Sequence, residues 1–147
     1  MASFYTATNA LIRRDGKILM VEEGKDHVHG KWNIPGGGVE DEETPVEAIE
    51  REIKEETGLE AEAGELISVL TGNSSRDGHP VVVFVFTAEV EEGEPEPIFD
   101  QEVLNAEFKS EDEIEELPLR NDVTLKALEA ENVDGLDKQS FGSYNNL

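Results

Sequence analysis

Residues 37–59 read GGVEDEETPVEAIEREIKEETGL, and the residue types fall there in an order that specifies a turn, a capped helix and a stop. Thr44 suits an N-cap and Pro45 the first helical position. Glu47, three residues after Thr44, completes a capping box. The pattern predicts a helix to about Thr57, with Gly58 ending it. Val46, Ile49 and Ile53 recur at helical spacing and should give the helix one core-facing apolar stripe. Glu52, Glu55 and Glu56 stand at i, i+3 and i+4, so their carboxylates gather on a neighbouring stripe.

Three carboxylates packed that closely repel, by about 0.2–0.5 kcal/mol per pair at an exposed site. A divalent cation turns that repulsion into attraction, and hard oxygen donors favour Mg2+, with Mn2+ as a substitute. A solvated acidic face is the other reading of those glutamates taken alone. Trp32-Asn33-Ile34-Pro35-Gly36-Gly37-Gly38 precedes the helix. Its glycines allow backbone groups to approach a metal or a phosphate without side-chain interference, or simply make a tight turn.

The full spacing is Gly-x5-Glu-x7-Arg-Glu-(apolar)-x-Glu-Glu-x-Gly-(apolar), occupied by Gly37, Glu43, Arg51, Glu52, Ile53, Glu55, Glu56, Gly58 and Leu59. It resembles the Nudix box, the signature of hydrolases that cut nucleoside diphosphates linked to another group. A chance match is on the order of one in a million for the whole chain. The resemblance implies an α/β Nudix fold, a mixed β-sheet sandwiched between α-helices with the box as a loop–helix–loop catalytic motif. It implies a Mg2+-dependent pyrophosphohydrolase with Arg51, Glu52, Glu55 and Glu56 in the catalytic set. Metal ligands would be Glu52, Glu55, Glu56 and the Gly36 carbonyl. Arg51 would orient a glutamate, while Gly37 and Glu43 would support the ligands from behind. Glu52 is the choice of general base. Similar sequences place a further glutamate before a short strand carrying an aromatic; Glu102, ahead of Leu104–Lys109, fits, with Asp100 as the alternative. A non-catalytic Nudix nucleotide-binding or sensor module is the rival reading, although it would predict erosion of Arg51-Glu52 or Glu55-Glu56.

With 147 residues and 37% hydrophobic content, the chain suits one compact domain with a sizeable core, here expected over residues 1–133. Residues 134–147 are polar and contain Gly, Ser and Asn, as expected of a flexible tail. The sequence contains no cysteine, which excludes disulfides and thiolate metal sites. It also lacks a long apolar run and the basic and apolar regions of a signal peptide, so a cytoplasmic enzyme away from membranes is expected. Net charge is −23, from 12 basic and 35 acidic residues. Such a surface repels nucleic-acid polymers, and its dispersed acids resemble those of proteins from salt-rich cytoplasm, a halophilic type. The expected partner is a small nucleoside diphosphate derivative, bound by a monomer or homodimer.

Along the chain, Phe4–Arg14 and Lys17–Glu23 read as strands joined by an Asp15-Gly16 hairpin turn. Gly24–Gly30, with His27 and His29, reads as a polar surface loop. Glu65–Leu70 and Val81–Val90 read as further strands, the second a central one. Ser110 with Glu113 signals a short helix to about Glu116. A final helix should run from Val123 to about Glu131 with Leu125 and Leu128 inward.

Substrate is less legible. Leu117–Asp122 resembles the segment in which MutT-type nucleoside triphosphate pyrophosphatases place a base-reading asparagine, making Asn121 a candidate for a purine edge. Capping of the final helix explains the same residue. Arg13 and Lys31, with Arg14 and Arg76, are the basic groups considered for phosphate contact.

Overall fold

The computed structural model describes residues 3–98, 102–131, 135–137 and 140–147. Asp100, the alternative loop ligand, lies outside them. Strands β1 (Tyr5–Leu11), β2 (Arg13–Arg14) and β3 (Lys17–Glu23) come first. Asp15 (φ 51°) and Gly16 (φ 79°) both adopt positive φ between β2 and β3, as a two-residue hairpin turn requires. The short β4 (Trp32–Asn33) and β5 (Gly36–Gly38) lead to helix α1 (Pro45–Thr57). Then follow β6 (Ala61–Asn73), β7 (Pro80–Val90), β8 (Val103–Lys109), α2 (Glu111–Glu115), α3 (Val123–Ala130) and β9 (Phe141–Ser143).

The larger sheet has the order β5-β1-β7-β6-β9. It is mixed: β1 runs parallel to β7 and β6 parallel to β9, while β5 and β6 lie antiparallel to β1 and β7. In the smaller sheet β3 pairs with β2, β4 and β8. Alternate residues of the strands feed opposite faces. Ala10, Phe86 and Ala88 pack with Ile49 and Ile53 of α1. Leu11, Val83 and Val85 pack with Val123 and Ala127 of α3. The mixed sheet between helices is the expected architecture.

Both capping boxes form: Thr44 with Glu47 at α1, and Ser110 with Glu113 at α2. Gly58 ends α1 in the left-handed conformation (φ 76°), donating its N–H to the Lys54 carbonyl. Several expectations need correction. Val46 is 43% exposed; the inward face of α1 is Ala48, Ile49, Ile53, Glu56 and Thr57. Leu125 is likewise exposed, and Val123, Thr124 and Ala127 face inward in its place. The second sheet-forming stretch runs from Ala61 to Asn73, well beyond Glu65–Leu70. The loop after β3 contains one turn of 3₁₀ helix at Asp26–Val28.

The largest difference concerns the expected tail. Of the stretch 134–147, residues 140–147 are seated on the domain. β9 pairs with β6 through Val69↔Phe141 to Thr71↔Ser143, and Tyr144 is buried with its hydroxyl donating to the Asn73 carbonyl. The Asn145 N–H donates to Asp122 Oδ1 at 2.7 Å. A polar composition conceals this docking because its affinity comes from backbone pairing and one tyrosine, neither of which leaves an apolar periodicity.

Candidate active site

The site grows from the crossing of β1, β5 and α1. Asn9 pairs with Gly36 and donates from Nδ2 to the carbonyls of Ile34 (3.1 Å) and Pro35 (3.3 Å). A Cβ on Gly36 would meet the Thr8 carbonyl and lie 2.8 Å from the Asn9 Cα, so only glycine permits this approach. The Gly36 N–H donates to Glu56 Oε1 at 2.8 Å, tying the glycine-rich loop to the helix.

On α1, Arg51 fans across the neighbouring acids. Its Nε donates to Glu43 Oε2 at 2.7 Å, and Nη2 donates to Glu43 Oε1 and to the Gly38 carbonyl. Nη1 donates to Glu52 Oε1 (3.0 Å) and Glu55 Oε2 (3.2 Å). Glu43 is therefore held below the usual carboxylate range, chiefly by Arg51. Glu52 behaves oppositely despite the same arginine. Burial outweighs that attraction and pushes its pKa up to about 7. Glu56, at 8% exposure, is raised well above the ordinary value, first by burial and then by the charges of Glu52 and Glu23. Glu52 and Glu56 thus repel one another, and Arg51 offsets the repulsion only at Glu52.

A cavity of about 1330 Å³ opens beside this cluster. Gly36, Gly37, Glu43, Glu56, Glu102 and Asn121 all line it, so most of the expected residues share one space. Glu52, Glu55 and Arg51 are not in the lining; they stand along the flank of α1. Glu102 is exposed, and its carbonyl accepts from the Gly24 N–H at 2.8 Å. Asn121 stands one residue ahead of Asp122, the N-cap of α3, and its Oδ1 accepts from the Val123 N–H at 3.0 Å in a turn leading into the helix, while the residue also faces the cavity.

Of the basic groups considered for phosphate contact, Arg76 lines the cavity, whereas Arg13, Arg14 and Lys31 are placed elsewhere. Arg13 pairs with Glu131 and Glu111, and Lys31 donates to the Leu147 carbonyl; neither lines the cavity. The described cations that do are Lys25, Arg76 and Arg120. Arg120 Nη1 donates to Glu23 Oε1 at 3.2 Å, and Glu23 is 5% exposed. Sequence reasoning missed Lys25, Glu23 and Arg120. Arg120 adjoins Asn121 in a stretch already singled out, so a signal existed for it. Glu23 sits at a register shift of β3 against β8, which single-strand periodicity does not reveal.

A mixed sheet between helices, with a carboxylate-bearing helix following a glycine-rich loop, is the architecture of a Nudix domain. The family model of the NUDIX domain matches residues 4–129, and the chain belongs to the Nudix hydrolase family. Among solved structures, a NUDIX hydrolase from Nitrosomonas europaea superposes with a TM-score of 0.80 at 26% identity, covering 88% of this chain and 89% of that one. The human 8-oxo-dGDP phosphatase NUDT18 is 37% identical over 57% of this chain and 24% of its own length. The ADP-ribose pyrophosphatase of Methanocaldococcus jannaschii is 41% identical over 60% of this chain and 52% of its own. The matched part thus spans about a quarter to a half of these curated relatives.

Proposed function

We propose that the chain is a Mg2+-dependent pyrophosphohydrolase acting on a nucleoside diphosphate linked to another group, such as a nucleoside triphosphate or a nucleotide sugar. The observation that carries this reading is the intact carboxylate set, Glu52, Glu55 and Glu56, on a helix tied to the glycine-rich loop through the Glu56–Gly36 hydrogen bond. Relatives named for 8-oxo-dGDP and for ADP-ribose support the class of substrate without choosing within it.

The donor set suits a hard divalent cation. Glu56 is buried and Glu52 largely so, they repel one another, and Arg51 compensates Glu52 only in part. Among the described residues no three acids converge into a ready-made cage, because Arg51 holds Glu52 and Glu55 by its own hydrogen bonds. Glu52, Glu55, Glu56, Glu102 and the Gly36 carbonyl would hold the ion, and Glu52 and Glu55 would give up their hydrogen bonds to Arg51 to do so. The ion, when bound, would neutralise phosphate oxygens and acidify the attacking water.

The chain's own residues do the remainder. Water attacks a phosphorus of the diphosphate, the bridging P–O bond breaks, and the bridging oxygen leaves on the departing phosphate. Glu52, whose carboxylate lies against Gly37 of the glycine-rich loop, would accept the proton of the water. Glu43 and Arg51 keep the helix flank and loop in register.

The test is hydrolysis of a panel of nucleotides and nucleotide sugars with phosphate detection, with Mg2+ and with excess chelator. Glu55→Gln and Glu56→Gln should each remove most of the activity, and Glu102→Gln should lower it about tenfold or more. Undiminished turnover in chelator, or unchanged rates in both helix variants, would overturn the metal assignment.

A further inference from the structure

In a chain with 12 basic residues against 35 acidic ones, three of the described cations face one cavity, which acids such as Asp26, Glu43 and Glu56 also line. They arrive from three separate loops. Lys25 follows β3, Arg76 lies between β6 and β7, and Arg120 precedes α3. His27 joins them on the same lining, and its proton affinity is lowered first by burial and then by the fields of Arg120, Lys25 and Arg76. Arg120 also approaches Ser75, the chain neighbour of Arg76, so two of the three loops meet at the cavity.

The loops that carry them are anchored. The Trp32 N–H donates to the Pro118 carbonyl and the Arg120 N–H returns to the Trp32 carbonyl. Asn73 Nδ2 closes the Arg76 loop by donating to the Gly78 carbonyl at 3.0 Å, and the Gly24 N–H bonds the Glu102 carbonyl beside Lys25. Arg120 is oriented by Glu23 through Nη1, and its Nη2 reaches Ser75 Oγ at 3.5 Å. A guanidinium held on one side by a buried carboxylate keeps further donors for a planar or tetrahedral anion.

The cations also border the carboxylates. The field of Lys25 acts on both Glu52 and Glu56, and Glu23, the partner of Arg120, acts on Glu56. A diphosphate seated beside Gly36 and Glu56 would share its cavity with Lys25, His27, Arg76 and Arg120. We propose that these four residues form a subsite for a phosphate lying beyond the scissile diphosphate. It is either the outer phosphate of a nucleoside triphosphate or a phosphate on the sugar of a nucleotide sugar. This rests on the pyrophosphohydrolase reading for the location of the scissile bond. The recognition itself is a matter of charge and hydrogen bonding, and it can be measured without turnover.

The experiment is calorimetric binding with Ca2+ in place of Mg2+, a hard cation that takes the same oxygen donors and lets the diphosphate seat at the carboxylates. Two ligand pairs are compared: GTP with GDP, and ADP-ribose with ADP-ribose phosphorylated on its terminal sugar. One of the two pairs should show tighter binding of the more phosphorylated member, by about tenfold, which is what one or two charged hydrogen bonds supply. The pair that does so identifies the source of the phosphate. Lys25→Ala, Arg76→Ala and Arg120→Met should each shrink that preference severalfold. Lys25 and Arg76 are exposed, so those two variants should fold even if loss of Arg120 destabilises the chain. Equal affinity within both pairs, or a preference unchanged in the Lys25 and Arg76 variants, overturns the subsite. Failure of the hydrolase reading would appear separately, as absence of Mg2+-dependent cleavage.

Discussion

Gly37 stands so close to Glu52 that a Cβ added to the glycine would overlap the Glu52 carboxylate, lying 2.8 Å from its Oε2. The second glycine of the loop therefore makes room for a carboxylate, and its absence of a side chain keeps Glu52 against the loop it serves.

Gly37→Ala should displace Glu52 without refolding the loop, because the obstructing atoms belong to a side chain and not to backbone. Misplacement of a reacting group by a fraction of an ångström to one ångström costs about tenfold to a hundredfold in rate. Steady-state kinetics should show that loss in kcat, with a melting temperature within a few degrees of the parent. Gly36→Ala should differ, since its Cβ meets backbone of β1, and overpacking there should destabilise by about 1–3 kcal/mol. Wild-type turnover in Gly37→Ala would remove Glu52 from the reaction.

The raised carboxylates give metal-free protein a defined pH response. Glu52 at about 7 and Glu56 above its ordinary value bind protons more tightly folded than unfolded. Stability from these groups is complete below the unfolded carboxylate pKa and is lost as pH rises through the folded values. Glu43, held low by Arg51, contributes the opposite trend, present above the unfolded value and lost in acid. Urea midpoints measured in chelator should therefore fall between about pH 5 and pH 8. Mg2+ should reverse part of that fall, since its ligands must lose their protons, and calorimetry in two buffers should register proton release. A flat or rising midpoint across that range would contradict the burial of these acids.

Glu23 and Arg120 form a largely enclosed pair, with side-chain exposures of 6% and 26%. Removing one member leaves the other uncompensated, which costs about 3 kcal/mol for a buried pair. Arg120→Met should approach that loss because it strands the more buried partner. The double variant Glu23→Gln/Arg120→Met should recover much of it in a thermodynamic cycle. Strict additivity of the two single variants would mean that the pair is not coupled.

The net charge of −23 predicts a salt response. Self-repulsion opposes the compact state at low ionic strength, and the Debye length shrinks from about 10 Å at 0.1 M to about 3 Å at 1 M. The melting temperature should rise from dilute buffer to molar KCl, with few basic residues available to form ion pairs that salt would weaken. A melting temperature that falls would point to the acidic surface as a partner-binding face.

Much of this site is legible in residues 37–59 because its determinants are local. Caps, helical spacing and the left-handed Gly58 are decided within a few residues of one another, and all three form as read. Burial is less local. Val46 follows the apolar stripe yet faces solvent, because the strands beneath α1 reach Ile49 and Ile53 but not its first turn. Two of the cavity cations were hidden for the same reason. Lys25 and Arg120 are 95 positions apart in the chain and become neighbours only through the pairing of β3 with β4 and the return of the chain past Trp32. Arg13 and Lys31 looked equally available until the fold gave them other partners.

β9 has a consequence for how molecules of this protein meet one another. β6 spans thirteen residues at the margin of the larger sheet, and β9 occupies its outer edge opposite Val69–Thr71. An uncovered strand edge of that length offers unpaired N–H and C=O groups to any other chain. Removing residues 140–147 would thus uncover the Val69–Thr71 stretch of that edge as a template, and the first sign would be concentration-dependent aggregation appearing well below the temperature at which the core melts.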